Sequence, residues 1–317
     1  MDPITQGLLG ATAAQIVGGK KIPKYAWKIG FLAGMAPDLD IVIRSQQNPL
    51  LFLEYHRQFT HSLIFIPIGG LIVSLFFLLI CKSLREHKLL TFLATTLAYG
   101  THGLLDTTTS YGTVLLWPLK YTRFAWDNMS IVDPIFTGML LILLILSVLK
   151  RSQIIATVSL ILALMYMGFG AIQHQRALSI QQAFAKEQQQ SVIQARAMPA
   201  LGNLFKWRGV YRSGDKLYFT KIKTPIFFES SIQFIASEPF FSVENLPYYI
   251  KSNQILMKDF QAFIWFTDNY QFEISKSPLT LCDARYFLRT QNKTCMWGIR
   301  FPQKSSQQKH VTFVRNF

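Results

Sequence analysis

The chain has 317 residues, 50% of them hydrophobic and only 15% charged, with a mean hydropathy of +0.24. Soluble domains carry about 25% charged residues, so an ordinary soluble protein is excluded. The formal net charge is +15, but no RNP, zinc-finger or helix-turn-helix pattern accompanies it, so no nucleic-acid partner is expected.

The apolar residues are gathered in 1–172, as long stretches separated by short basic loops. Six segments can be marked in order: 4–18, 26–43, 62–81, 89–105, 131–149 and 152–172. The third carries no charge, and the fifth is almost pure Leu, Ile, Val and Met after Ile135. About 20 apolar residues cross a bilayer's hydrocarbon core. The first, second and fourth segments contain Gly and polar residues, as expected of helices that pack on neighbours or line a polar cavity.

The basic loops hold Lys20, Lys21, Lys24 and Lys28, then Lys82, Arg85, His87 and Lys88, then Lys150 and Arg151. With six spans all three fall on one side, which the positive-inside rule makes cytoplasmic. The N-terminus and residues 173–317 then fall on the outer side. Met1-Asp2-Pro3 offers no basic leader region, so no cleavable signal peptide is expected.

Residues 173–200, rich in Gln and Ala, read as a linker helix ending at Pro199. Beyond Gly202 the pattern changes. Ser213-Gly214-Asp215 between aromatic runs is a hairpin signal, and further strand-like runs lie at 226–235, 262–266, 270–274 and 311–314. The expected architecture is an α-helical multi-pass membrane domain of about six helices over 1–172, the linker at 173–200, and a small, mainly antiparallel β domain over 201–317. Cys81 reads as a small buried hydrophobe. Cys282 and Cys295 can pair if the β domain lies outside the cytosol. No C-x-x-C pair exists, which argues against a thiolate zinc site.

The chemistry-bearing residues sit at one set of helix ends. Asp38 and Asp40 close the second segment, His56 and His61 flank the entrance to the third, and His102 and Asp106 close the fourth. Asp127 and Asp133 precede the fifth. Any one of these is more simply a cap or an interfacial residue. Their joint placement on one face, together with the cost of ionisable groups at membrane depth, points to a metal site. His102 and Asp106 are spaced i, i+4 and share a helix face. The expected ligands are Asp38, Asp40, His56, His61, His102 and Asp106. The ion is divalent, with zinc first and manganese or magnesium as alternatives. Charges kept at helix ends argue against a transporter. No Pro-Ser-Gly-His or Gly-x-Ser-Gly string is present, which argues against a haloperoxidase-type lipid phosphatase and a rhomboid-type protease.

Four strings carry a resemblance: Met1-Asp-Pro-Ile-Thr-Gln-Gly, Ala36-Pro-Asp-Leu-Asp, His56-Arg-Gln-Phe-Thr-His-Ser, and Thr101-His-Gly-Leu-Leu-Asp followed by Tyr111-Gly-Thr. In this order, over residues 1 to about 150, the chain resembles the YdjM family, bacterial inner-membrane proteins described as metal-dependent hydrolases. Many relatives carry Thr-His near the N-terminus, where this chain has Thr5-Gln6, a poorer ligand. The resemblance implies a hydrolase acting on an ester or phosphoester, such as a membrane lipid or another amphiphile, at the outer membrane–water interface. In that reading Asp127 takes a proton and Arg57 pairs with a substrate oxyanion. The alternative is a non-catalytic, metal-stabilised membrane scaffold or envelope-stress protein. The oligomeric state is open.

Overall fold

The computed structural model describes residues 1–45, 47–289, 294–303 and 309–316. It divides into two compact units. The first comprises Met1–Val42, Arg57–His174 and Pro199–Leu204; the second comprises Ile43–His56, Gln175–Met198 and Phe205–Phe317.

Helices come first in the chain: α1 Pro3–Gly18, α2 Ala26–Met35, the short α3 Leu51–Tyr55, α4 Ile66–Ile80, α5 Lys88–Thr107, α6 Pro134–Leu149 and α7 Gln153–Glu187. Their starts follow from local chemistry. Asp2 caps α1 by accepting from the Thr5 amide, with Pro3 at the first helical position. Asp133 caps α6 through the Ile135 and Phe136 amides, again with a proline following. Asp133 also accepts from the Tyr166 hydroxyl at 3.0 Å, so its role is structural.

Each of the six apolar segments is helical, but by length and composition only two stretches among the described residues suffice to cross a membrane, Leu63–Ile80 and Gln153–Glu187. α6 is a shorter apolar helix. α1 and α2 have 16 and 10 residues, short of the roughly 20 that span the hydrocarbon core. They form an antiparallel hairpin at very close range. A Cβ on Gly30 would lie 2.4 Å from the Ala14 Cβ, and one on Gly34 would lie 2.6 Å from the Gln6 carbonyl oxygen. Only glycine permits this approach, the small-residue packing expected between apolar helices. Thr5, Gln6, Thr12 and Gln15 of α1 are all buried. At the far end of the hairpin, Lys21, Lys28, Glu86, His87 and Arg151 line one cavity, so the three basic loops meet at the same end of this unit.

α7 begins in the first unit and ends in the second as one 35-residue helix. The segment anticipated as a linker helix is therefore helical only to Glu187. Residues Gln194–Ala200 form strand β1.

The remaining elements are β2 Asn203–Ser213, β3 Lys216–Lys223, β4 Ser231–Pro239, α8 Tyr248–Lys251, α9 Gln254–Phe266, β5 Gln271–Lys276, β6 Leu279–Asp283, β7 Phe287–Arg289, β8 Thr294–Cys295, β9 Trp297–Arg300 and β10 Thr312–Arg315. Two four-stranded sheets result, ordered β1-β2-β3-β4 and β10-β9-β6-β5, with a small β7-β8 pair. The β2–β3, β3–β4, β5–β6, β6–β9, β9–β10 and β7–β8 pairings are antiparallel. The β2–β3 hairpin turns at the anticipated Ser213-Gly214-Asp215, where Gly214 has φ +57°.

Two strand expectations are corrected. Of the run at 226–235, residues 226–230 form a loop and β4 begins only at Ser231. Residues 262–266 are helical, not a strand. Asn253 caps α9 through the Ile255 and Leu256 amides, and Leu256, Asp259, Phe260, Phe263 and Phe266 are buried at helical spacing. The helical period of the apolar face outweighs the β propensity of its aromatic residues. Cys282 and Cys295 form a disulfide with a Cα–Cα distance of 5.9 Å.

Candidate metal centre

The Ala-Pro-Asp-Leu-Asp string is a 3-10 turn, Ala36–Val42, that continues α2. Phe59–His61 is a second such turn. Both turns and the end of α5 belong to the first unit. Gly103 brings α5 onto the second turn: a Cβ there would lie 2.3 Å from the His61 carbonyl oxygen. The His61 and His102 rings consequently meet edge to face, with centroids 4.6 Å apart.

Four donor atoms converge. Nε2 of His61 lies 3.4 Å from Asp38 Oδ1 and 3.5 Å from Asp106 Oδ2. Nε2 of His102 lies 3.3 Å from Asp38 Oδ1 and 3.6 Å from Asp106 Oδ2. Ligands about 2.0–2.2 Å from a tetrahedral ion stand about 3.3–3.6 Å apart, so these spacings suit a zinc-sized cation. Asp38 Oδ1 and His102 Nε2 are buried and make no hydrogen bond. Buried polar atoms of this kind need a partner, and a cation at their centre supplies one. The cluster is thus a buried His/Asp group able to hold a metal ion.

The atoms behind the four donors fix their direction. His102 Nδ1 is 2.6 Å from the Gly34 carbonyl, which makes Nδ1 the protonated nitrogen and leaves Nε2 as the donor to the centre. His61 Nδ1 is 3.0 Å from Thr60 Oγ1 and 3.3 Å from Asp40 Oδ2. Asp40 Oδ2 also accepts from the Thr60 hydroxyl at 2.6 Å and the Arg57 amide at 3.0 Å. Asp106 Oδ1 accepts from Gln6 Nε2 at 2.9 Å and from the Met1 amino group. Gln6 thus steadies a ligand carboxylate.

Of the sequence-predicted ligands, Asp38, His61, His102 and Asp106 come together. Asp40 stands behind His61. His56 follows α3 and belongs to the second unit. Asp127 is buried, with φ +55°, and is not a member of the group. Arg57 is buried beside the centre, with Nε 3.1 Å from Asp106 Oδ2 and Nη1 3.4 Å from Thr109 Oγ1. Its φ of +65° is unusual for a residue with a side chain. Two backbone bonds hold it there, its own amide to Asp40 and its carbonyl accepting from the Val114 amide at 2.9 Å.

Burial alone would lower the basicity of His61, but the surrounding Asp106, Asp38 and Asp40 carboxylates outweigh it and raise the pKa to about 10. A field that favours a proton on this ring favours a cation in its place.

The model of the YdjM inner membrane protein family matches residues 1–177. The chain belongs to that family. No curated protein and no solved structure matches it. The matched region contains every residue of the centre, so the four donors are part of the YdjM portion and not of the β sheets that follow it. Sequence reasoning missed the Gly34 carbonyl, Thr60 and Gln6 as supports. Thr60 adjoins His61, and Gln6 lies one turn into the polar start of the first segment; nothing in the sequence marks the Gly34 carbonyl.

Proposed function

We propose that this YdjM-family chain is a membrane-bound, metal-dependent hydrolase of an ester or phosphoester, with a lipid or other amphiphile as substrate. The observation that carries the reading is the convergence of Asp38, His61, His102 and Asp106 in one buried group, with a buried arginine against it. Held there, a divalent ion supplies Lewis acidity, polarising an ester or phosphoryl oxygen and acidifying a water.

The protein's own groups do the rest. His102 is fixed by Gly34, and His61 by Asp40 and Thr60, so the donors are preorganised. The Arg57 guanidinium offers N–H groups to a substrate oxyanion. Asp127, a carboxylate outside the four, is assigned the proton-accepting role. The centre lies at the opposite end of the α1–α2 hairpin from the cavity where the basic loops meet. That arrangement supports the outer face as its location, and the Cys282–Cys295 disulfide supports the same side for the β region.

The test is hydrolysis of phospholipid and phosphoester substrates by the full chain in lipid–detergent micelles. Turnover lost to a chelator, restored by a divalent ion, and reduced in Arg57→Gly at unchanged metal content supports the reading. Stoichiometric metal without turnover on any of these substrates overturns it and leaves a metal-stabilised scaffold.

A further inference from the structure

The second unit carries an apolar loop next to a concentration of positive charge. Between β3 and β4, Ile226, Phe227 and Phe228 are 54%, 88% and 79% exposed. Large aromatic side chains so open to solvent are unusual on a folded domain and mark an interaction surface. Beside the loop, the β2–β3 register sets Lys206 opposite Lys223 and Arg208 opposite Lys221. Residues directly opposite share a face, as do residues two apart, so four cations occupy one face of the hairpin. The alternate residues Trp207 and Ile222 are buried with Ala177 on the other face. Like charges directly opposite one another destabilise a sheet. Arg208 also lies over the Tyr286 ring, and Glu229 is an acidic residue within the loop.

Contacts within this unit fix where the loop lies along α7. Trp207 clusters with Ala177, a Cβ on Gly209 would meet the Gln181 amide at 2.6 Å, and the Tyr211 hydroxyl donates to Gln190 Oε1 at 2.5 Å. β2 therefore ascends with α7, and antiparallel β3 descends towards the helix's apolar part. Arg176 clasps the start of the loop, donating to the Thr224 and Pro225 carbonyls at 3.4 and 3.0 Å. The apolar segment of α7 ends at Ile172, four residues or about 6 Å of helix before Arg176. A headgroup layer is about 5–8 Å deep on each side of a bilayer.

We infer that the loop at 225–230 and the ladder of Lys206, Arg208, Lys221 and Lys223 form a docking face for the anionic lipid surface of the bilayer that α7 enters. The phenylalanines seat at the level of the headgroup–acyl boundary and the cations pair with headgroup phosphates above them. The β region is thereby held against the membrane at a second point besides α7. This rests on α7 crossing the membrane and is independent of any hydrolytic activity.

The experiment uses the full chain with Cys81→Ala and the Cys282–Cys295 pair left oxidised, reconstituted in vesicles with or without phosphatidylglycerol. An environment-sensitive fluorophore is placed at Phe228→Cys or, as a control, at Asp215→Cys. β3 has eight residues, which puts the control about 25 Å away along the hairpin. The label at 228 should be quenched several-fold more than the label at 215 by a nitroxide near the acyl-chain head. That quenching should weaken without phosphatidylglycerol and in the Lys206→Glu, Lys221→Glu, Lys223→Glu variant. Equal responses at the two positions overturn the proposal. So does a label at 228 shielded from both lipid-borne and aqueous quenchers, which would place the loop in a protein interface. Lipid quenching indifferent to phosphatidylglycerol overturns the role of the cations.

Discussion

At the residue scale the centre separates donors from supports, and the two classes have different signatures. Removing the His102 or Asp106 side chain deletes a donor outright. Asp40→Asn leaves all four donors but alters the partner of His61 Nδ1, and losses of this kind are about 10–100-fold in metal affinity. Competition titration with a chromophoric chelator should show Asp40→Asn binding weakly and His102→Ala not binding measurably; equal affinities in the two would place Asp40 among the donors.

A different buried pair serves stability. Arg285 Nη2 donates to Asp283 Oδ2 and to the Phe266 carbonyl, both at 2.7 Å, and both side chains are buried. Arg285→Met strands the carboxylate and should cost about 3–5 kcal/mol, read as a lowered urea midpoint for the β region by near-UV circular dichroism. The His102–Asp106 pair is legible in the sequence because residues spaced i, i+4 share a helix face, whereas Asp38 and Asp40, two apart, diverge on a regular element. That Asp40 faces backwards depends on the 3-10 turn and on Arg57 at positive φ, which no spacing rule contains.

Among the elements, the α1–α2 hairpin matters to the centre because Gly34 serves twice. Its missing side chain lets α2 lie on α1, and its carbonyl holds His102. Gly34→Val should prise the helices apart, costing about 1–3 kcal/mol as overpacking does, and lower metal occupancy by displacing that carbonyl. Helical content by circular dichroism should be unchanged while metal per chain falls; full occupancy in this variant would separate the hairpin from the site. Each apolar segment announced itself as a helix. The Gly and polar residues of the first two segments mark α1 and α2 as helices that pack on neighbours, which they do; what the sequence did not disclose is how short they are. α9 was misread locally because its aromatic residues favour strands, while its Asn253 cap and buried face specify a helix.

At the scale of the whole molecule, a YdjM helical portion precedes antiparallel sheets joined through the long α7. The outer-side assignment predicts that a cysteine at the exposed turn position Asp215, placed by Asp215→Cys in the Cys81→Ala chain, is alkylated in intact cells by a membrane-impermeant maleimide. A lysine-reactive impermeant reagent should spare Lys21 and Lys24 until the membrane is breached. The reverse pattern would invert the topology. Loss of the disulfide, which joins residues 13 apart in sequence, should lower the stability of the β region by about 3 kcal/mol on the loop-entropy scale.

The central claim is that Asp38, His61, His102 and Asp106 hold a divalent ion. Elemental mass spectrometry of the purified full chain, beside a folded His61→Ala, His102→Ala variant, tests it most directly. The account predicts one or more equivalents of a divalent metal per chain in the parent and a background level in the variant. Background metal in both, after supplementation with zinc, manganese and magnesium, would contradict it.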